Sequence, residues 1–340
     1  MIDALREFLE WRRNGYADTR ELGECLRAMI SEELDQLPLP GAGRTLERWQ
    51  ALACVAGHDL GLSKLYEGHT DALAIMAELK APGDRVPERG TLWGTWASEP
   101  PQARVTVTGT GESVRLNGRK AWCSGAAVVS HGLLTAWDEH GLQQLVAVPM
   151  HQPGVKVTDE GWRAVGMATT GSVDVRFDDA RGWRIGKPGD YTARPGFWQG
   201  GIGIAAMWYG AAQAIGQALL RHAGKHDEPH ALAHLGAVDT ALHGAASILR
   251  AAAAQIDRHP AQDAEWLARR CRARIEHVAE SVMRHVGRAL GAGVYCKDAA
   301  FARLIADLPV FLRQSHAERD LDAVGRIASS RLMPGKAWAL

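Results

Sequence analysis

Leu312-Arg313-Gln314-Ser315-His316-Ala317-Glu318-Arg319-Asp320-Leu321 is a polar stretch inside an otherwise apolar region. It places a guanidinium, an imidazole and a carboxylate within one or two helical turns. His316 would titrate near neutrality and suits a general base, Glu318 is the carboxylate alternative, and Arg313 suits pairing with a phosphate or carboxylate. The same side chains could equally form a structural ion-pair network with Arg319 and Asp320. A second group is Trp122-Cys123-Ser124. On a strand, residues two apart share a face, so an indole and a hydroxyl would stand side by side. In a sheet core the same pair would read as an apolar filler and a turn residue. A third group, Glu67 and His69, falls in a helical segment, where a lone His is more often a surface or hydrogen-bonded core residue than a functional one.

Composition narrows the partners. The chain has 340 residues with 39 basic and 39 acidic side chains, so its formal charge is zero and gives no electrostatic case for nucleic acid or an anionic membrane. Any anionic ligand must be held by local groups. No apolar run is long enough to span a bilayer, and the N-terminus does not read as a secretory signal, so a cytoplasmic location is expected. The five cysteines lack paired short spacings and suggest neither a disulfide framework nor a metal site. Cys123 reads as packing.

Three stretches occur in a telling order: Trp96-Ala97-Ser98-Glu99-Pro100, then Leu116-Asn117-Gly118-Arg119-Lys120-Ala121-Trp122-Cys123-Ser124-Gly125, then Val165-Gly166-Met167 with Val175-Arg176-Phe177-Asp178-Asp179. With helical sequence on both sides, the chain resembles the acyl-CoA dehydrogenase flavoprotein family. The resemblance implies an FAD cofactor, with Ala97 and Ser98 along one edge of the flavin and Trp122, Cys123 and Ser124 over one face, the hydroxyl reaching N5. A flavin needs a flat apolar partner and fixed polar groups, and these residue types supply both. The late turn Gly291-Ala292-Gly293 resembles one that lies over a neighbouring subunit's FAD, which implies a homodimer or homotetramer. Glu67 and His69, beside Gly68, match the segment closing the far end of the family's acyl pocket, with Arg313 placed as a further pocket residue.

Departures from the family pattern limit the chemistry. The family's catalytic Glu-Gly is absent near Ser315-His316, and its other location, at Gln199-Gly200-Gly201, holds no acid. His316 and Glu318 are the stand-ins for the base. Pro101-Gln102-Ala103-Arg104 replaces a Gly-Ser-Asp, and Arg221 or Lys225 must substitute for an arginine that holds the FAD pyrophosphate. The expected function is therefore a FAD-dependent oxidoreductase acting on the CH-CH group of an acyl thioester or related small molecule, with its electron acceptor open. The alternatives are a group D-type flavin monooxygenase on the same fold, or a non-catalytic flavin- or ligand-binding scaffold.

These groups need elements to position them. Helical periodicity before residue 90, short β-branched runs such as Val105-Thr106-Val107-Thr108 in the middle, and long apolar stripes after Pro195 predict an α+β fold. It divides into an N-terminal helical domain (1–90), a central β-sandwich or barrel domain (91–192) and a C-terminal four-helix bundle (193–340), with residues 81–90 as a Pro/Gly/charge linker. Two motifs are decoys. Gly201-Ile202-Gly203-Ile204-Ala205-Ala206 imitates a dinucleotide fingerprint but has no strand before it. Arg269-Arg270-Cys271-Arg272-Ala273-Arg274 reads as a solvated helix face paired with Glu265 and Glu276.

Overall fold

The computed structural model describes residues 1–12, 15–81, 90–335 and 337–338, so most of the expected linker, residues 82–89, lies outside the described residues. Four helices come first: α1 (Ile2–Glu10), α2 (Thr19–Ser31), α3 (Thr45–His58) and α4 (Leu60–Glu78). Their starts are written in the sequence. Asp18 caps α2 by accepting from the Glu21 N–H at 2.9 Å, and Asp59 caps α4 by accepting from the Leu62 N–H at 2.8 Å. Leu22, Leu26 and Met29 form the buried stripe of α2.

Seven strands follow: β1 (Trp93–Trp96), β2 (Val105–Thr108), β3 (Ser113–Cys123), β4 (His131–Trp137), β5 (Gln143–Pro149), β6 (Val155–Val157) and β7 (Val173–Ile185). β4, β2, β3, β7 and β5 are paired in that order and β5 pairs back to β4, so the sheet closes into a barrel with β1 and β6 added to it. Val105 and Val107 point inward while Thr106 and Thr108 point out, the alternation expected of a half-buried strand. β3 and β7 are long and shift register twice, first between Leu116 and Gly118. Gly118 has φ +120° there, and a Cβ would sit 2.2 Å from the Arg104 carbonyl, so this position requires glycine.

The remaining elements are helical: α5 (Asp190–Ala193), α6 (Gly196–Ala223), α7 (Pro229–Arg258), α8 (Glu265–Leu290), α9 (Ala292–Lys297), α10 (Ala299–Leu312) and α11 (Glu318–Arg331). α6, α7 and α8 are the long members of the bundle, and the shorter α10 and α11 pack against α8. The dinucleotide-like glycines lie inside α6. α11 begins only at Glu318, because Ser315 Oγ accepts the Ala317 N–H and Asp320 accepts the His316 N–H, which closes a turn before the helix. No helix among the described residues is long and apolar enough to cross a membrane.

One apolar cluster runs through all three parts, including Trp49 and Leu52 of α3, Val105 and Leu116 of the barrel, and Trp208 and Ile275 of the bundle. The contacts that join the parts are close. α6 crosses α3 with Gly210 so near that a Cβ would lie 2.1 Å from the Ala53 carbonyl. Val165-Gly166-Met167 is the barrel's dock onto α10: a Cβ on Gly166 would meet the Ala306 carbonyl at 2.0 Å, and the Met167 N–H donates to Asp307 Oδ1 at 2.5 Å. Thr19 Oγ1 of α2 donates to the Thr169 carbonyl at 2.7 Å on the same loop.

Candidate active site

The second irregularity of β3 lies between Lys120 and Cys123, and it decides how Trp122 and Ser124 stand. Trp122 has φ +57°, a strained backbone for an aromatic residue. Its indole is 48% exposed although a Trp of this size gains most from burial. Ser124 lies beyond the end of β3. The expectation that a continuous strand aligns the two residues is thus corrected: β3 ends at Cys123, so the turn that follows, not the pleat, sets how the exposed indole and the partly buried hydroxyl stand. Cys123 between them is fully buried, and burial pushes its thiol up, so it packs rather than reacts.

Ser124 is the outer end of a hydroxyl relay. Its Oγ is 2.7 Å from Ser172 Oγ, which is 2.7 Å from Thr170 Oγ1, and Thr170 donates to the Met167 carbonyl at 2.8 Å. The Met167 carbonyl also accepts the Thr170 N–H and the Trp162 indole N–H, each at 3.1 Å, so the relay has two senses: with the Thr170 hydroxyl on that carbonyl, Ser124 donates inward and presents lone pairs outward, and with Thr170 donating to Ser172 the order reverses and the Ser124 hydrogen points outward. Its own carbonyl accepts the Trp96 indole N–H at 3.1 Å, which ties the turn to β1.

Ala97 and Ser98 occupy the partly buried loop after β1. Glu99 anchors that loop: its Oε1 accepts from Thr135 Oγ1 at 2.6 Å and Lys120 Nζ at 3.2 Å, and its Oε2 accepts the Trp137 indole N–H at 2.8 Å. Burial raises the Glu99 pKa, but Lys120 and these donors outweigh it and the carboxyl titrates below its ordinary range.

α4 presents two faces. Lys64, Leu65 and Gly68 border a small void with Trp96 and Ser124. Lys64 Nζ is 2.6 Å from Glu67 Oε2, and Asp71, further along, pairs with Arg48 at 2.9 Å. Burial pushes the Glu67 carboxyl up to about 7 against the pull of Lys64, and the neighbouring Asp71 adds to the rise. His69 is on the other face, bordering a cavity of about 700 Å³ shared with Asp35, Arg48 and Met76. Its Nδ1 accepts the Trp93 N–H at 3.3 Å and its Nε2 is 3.1 Å from Asp35 Oδ2. The pairing of Glu67 with His69 at one pocket end is therefore corrected: helical spacing of two turns them to different sides.

At the far end of the chain, His316 is 65% exposed with Nδ1 3.8 Å from Asp320, and Glu318 is exposed in the first turn of α11. Arg313 is exposed and pairs with Glu276 at 2.7 Å and Glu280 at 3.4 Å. These three stand on the outer surface of the chain and are not among the residues that border the void beside Ser124. Arg221 is exposed near the end of α6. Gly291, Ala292 and Gly293 are exposed at the α8–α9 turn, where Gly291 has φ +64° and no atom lies within 4 Å of a built Cβ on either glycine.

Arg272 does not lie on a solvated face: its Nη1 donates to the Gly201 carbonyl at 2.8 Å, its Nη2 to the Gln314 carbonyl at 2.8 Å, and it stacks 4.8 Å above the Trp208 ring. Of the run, Arg269 keeps the expected pairing with Glu265, at 2.8 Å, while Glu276 is taken by Arg313. The sequence signal was present, since Arg272 lies four residues after Ala268 and three before Ile275, both fully buried.

Residues 97–180 match the family described as Acyl-CoA dehydrogenase, middle domain. Amino sugar nitrososynthase DnmZ of Streptomyces peucetius is 34% identical over 121 residues, which span 32% of this chain and 30% of that protein. Among solved structures, FMN-bound TdsC of Paenibacillus sp. A11-2, a dibenzothiophene monooxygenase, aligns at TM-score 0.77 and 18% identity over 99% of this chain and 96% of its own. Butyryl-CoA dehydrogenase of Megasphaera elsdenii aligns at TM-score 0.80 and 17% identity, covering 96% and 97%.

Proposed function

We propose, for a chain with an acyl-CoA dehydrogenase middle domain set in the complete acyl-CoA dehydrogenase-like fold, that this protein is a flavin-dependent oxidoreductase of the oxygenating kind. Bound flavin supplies the two-electron chemistry. The described residues fit such a group at the ring: Trp122 offers an uncovered aromatic surface held out by a strained backbone, Ser124 a fixed polar atom, and Ala97-Ser98 a loop clamped by Glu99. FAD is the reading favoured over FMN, because the open Gly291–Gly293 turn suits the adenosine end reaching a second copy of the chain, and a homodimer or larger assembly goes with it. The expected substrate is a small molecule, free or thioester-linked.

The observation that carries the oxygenating reading is the lack of a carboxylate base at either family position: Gln199-Gly200-Gly201 holds no acid, and His316 and Glu318 stand exposed. The relay serves either flavin state, since Ser124 can donate to N5 of the oxidised form and accept from the N–H of the reduced form. DnmZ and TdsC, an amino sugar nitrososynthase and a monooxygenase by name, support the same side.

The test is reconstitution with FAD and with FMN, followed by an anaerobic challenge. Flavin is expected to bind, W122A to weaken binding at least tenfold, and S124A to shift the flavin's reduction potential. Flavin should stay oxidised with butyryl-CoA alone and turn over only with an external reductant and O2. Bleaching by butyryl-CoA alone would establish the dehydrogenase instead, and a folded protein that takes up neither flavin would leave the binding scaffold.

A further inference from the structure

Several charged groups between α4, α6 and α8 pair with one another. Lys64 is taken by Glu67 at 2.6 Å, Arg48 by Asp71 at 2.9 Å, Arg313 by Glu276 at 2.7 Å, and Arg269 by Asp320 at 2.5 Å and Glu265 at 2.8 Å. Arg272, half-buried among them, has no carboxylate within ion-pair distance among the described residues. Three acids act on it from a distance, Asp320, Glu276 and Glu67, and each is engaged by another cation. Two of its five N–H groups are spent on the Gly201 and Gln314 carbonyls. Those bonds and the Trp208 ring fix the guanidinium plane.

There is room beside it. A Cβ built on Gly201 meets nothing within 4 Å, and one on Gly200 meets only Asp71 Oδ2 at 3.9 Å. Two successive glycines in the first turns of α6 thus leave open space at the segment whose Gly201 carbonyl Arg272 holds, with Asp71 of α4 near Gly200. Charged guanidinium groups that are partly removed from water are normally matched by a carboxylate or phosphate, and a rigidly held one is preorganised to receive such a partner.

We propose that Arg272 is the receptor for an anionic group of the substrate, a carboxylate, sulfinate or phosphate monoester, bound in the opening over Gly200 and Gly201. This rests on the reading of the protein as a flavin enzyme with a small-molecule substrate and adds the class of that substrate. The alternative role is that of a fastener joining α8 to α6 and to the end of α10, and a fastener would not respond to an added anion.

The probes are benzoate, benzenesulfinate and phenyl phosphate, with neutral benzamide as the size-matched control, titrated against the full chain and R272Q with the melting temperature as readout. At least one anion is expected to raise the wild-type melting temperature in a dose-dependent way, with benzamide inert and the apparent Kd for that anion at least tenfold weaker in R272Q. Which anion acts identifies the group. If R272Q does not fold, phenylglyoxal labelling of Arg272 in the wild type, read by peptide mass spectrometry, decides: bound anion should slow it at least threefold and benzamide should not. No response to any of the three anions, an equal response in R272Q, or labelling unchanged by anion overturns the proposal. Flavin uptake is followed by absorbance in the same samples, so a colourless wild type that still binds the anion through Arg272 would overturn the oxygenase reading alone.

Discussion

Glu67 makes a prediction of its own. Its folded pKa, about 7, stands above the ordinary carboxylate value, so the folded chain holds a proton that the unfolded chain releases. The stability this contributes is complete below the unfolded pKa and is lost as pH rises through about 7. Urea unfolding of E67Q between about pH 5 and about pH 8 should show a shallower fall in stability than the wild type, and identical slopes would refute the assignment. Lys120 is the opposite case, a 1% exposed ammonium whose partners are Glu99 and Thr135. K120M leaves Glu99 without its cation and is expected to cost about 3–5 kcal/mol, part of it recovered in K120M/E99Q; a K120M that unfolds like the wild type would sink this account. Ser98, Trp122 and Ser124, proposed for the flavin face, stand out in the sequence because their types and order form a local pattern. The hydroxyl relay does not, since it depends on positions 124, 170 and 172 meeting across two separate turns.

At the level of elements, the two kinds of glycine in α6 separate packing from function. Gly210 touches the Ala53 carbonyl of α3, where backbone cannot give way, so G210A should destabilise by roughly 1–3 kcal/mol in thermal unfolding. Gly201 has open space around it, and G201A should instead stabilise by about 0.5–1 kcal/mol through the lost flexibility of the unfolded chain. Equal effects at the two sites would contradict both assignments. Helices and strands could be found from periodicity and breakers, as the capped starts of α2 and α4 show. Barrel closure could not, because beside the local β4–β5 hairpin it needs β2 next to β4 in parallel and β7 next to β5, pairings between strands far apart in the chain. Arg272 was hidden for a related reason: an arginine run looks solvated until the buried side of α8, marked by Ala268, Cys271 and Ile275, is taken into account.

For the whole molecule, the order of the parts along the chain differs from the order in which they can be completed. α3 ends at His58, yet the helix that covers its Trp49, Leu52 and Val55 side begins at Gly196. At roughly 5–20 residues per second of synthesis, that apolar side waits on the order of ten seconds for its cover. During that interval the emerging polypeptide is a client for chaperones, and a ribosome that stalls after the barrel leaves a sticky product. A fragment covering residues 1–192 should accordingly bind a hydrophobic dye and sediment as aggregate, while co-expressed residues 193–340 should rescue it into the soluble fraction. A soluble, monomeric 1–192 fragment would mean that the first helices find their own cover, and that α6 arrives as an addition to a finished structure.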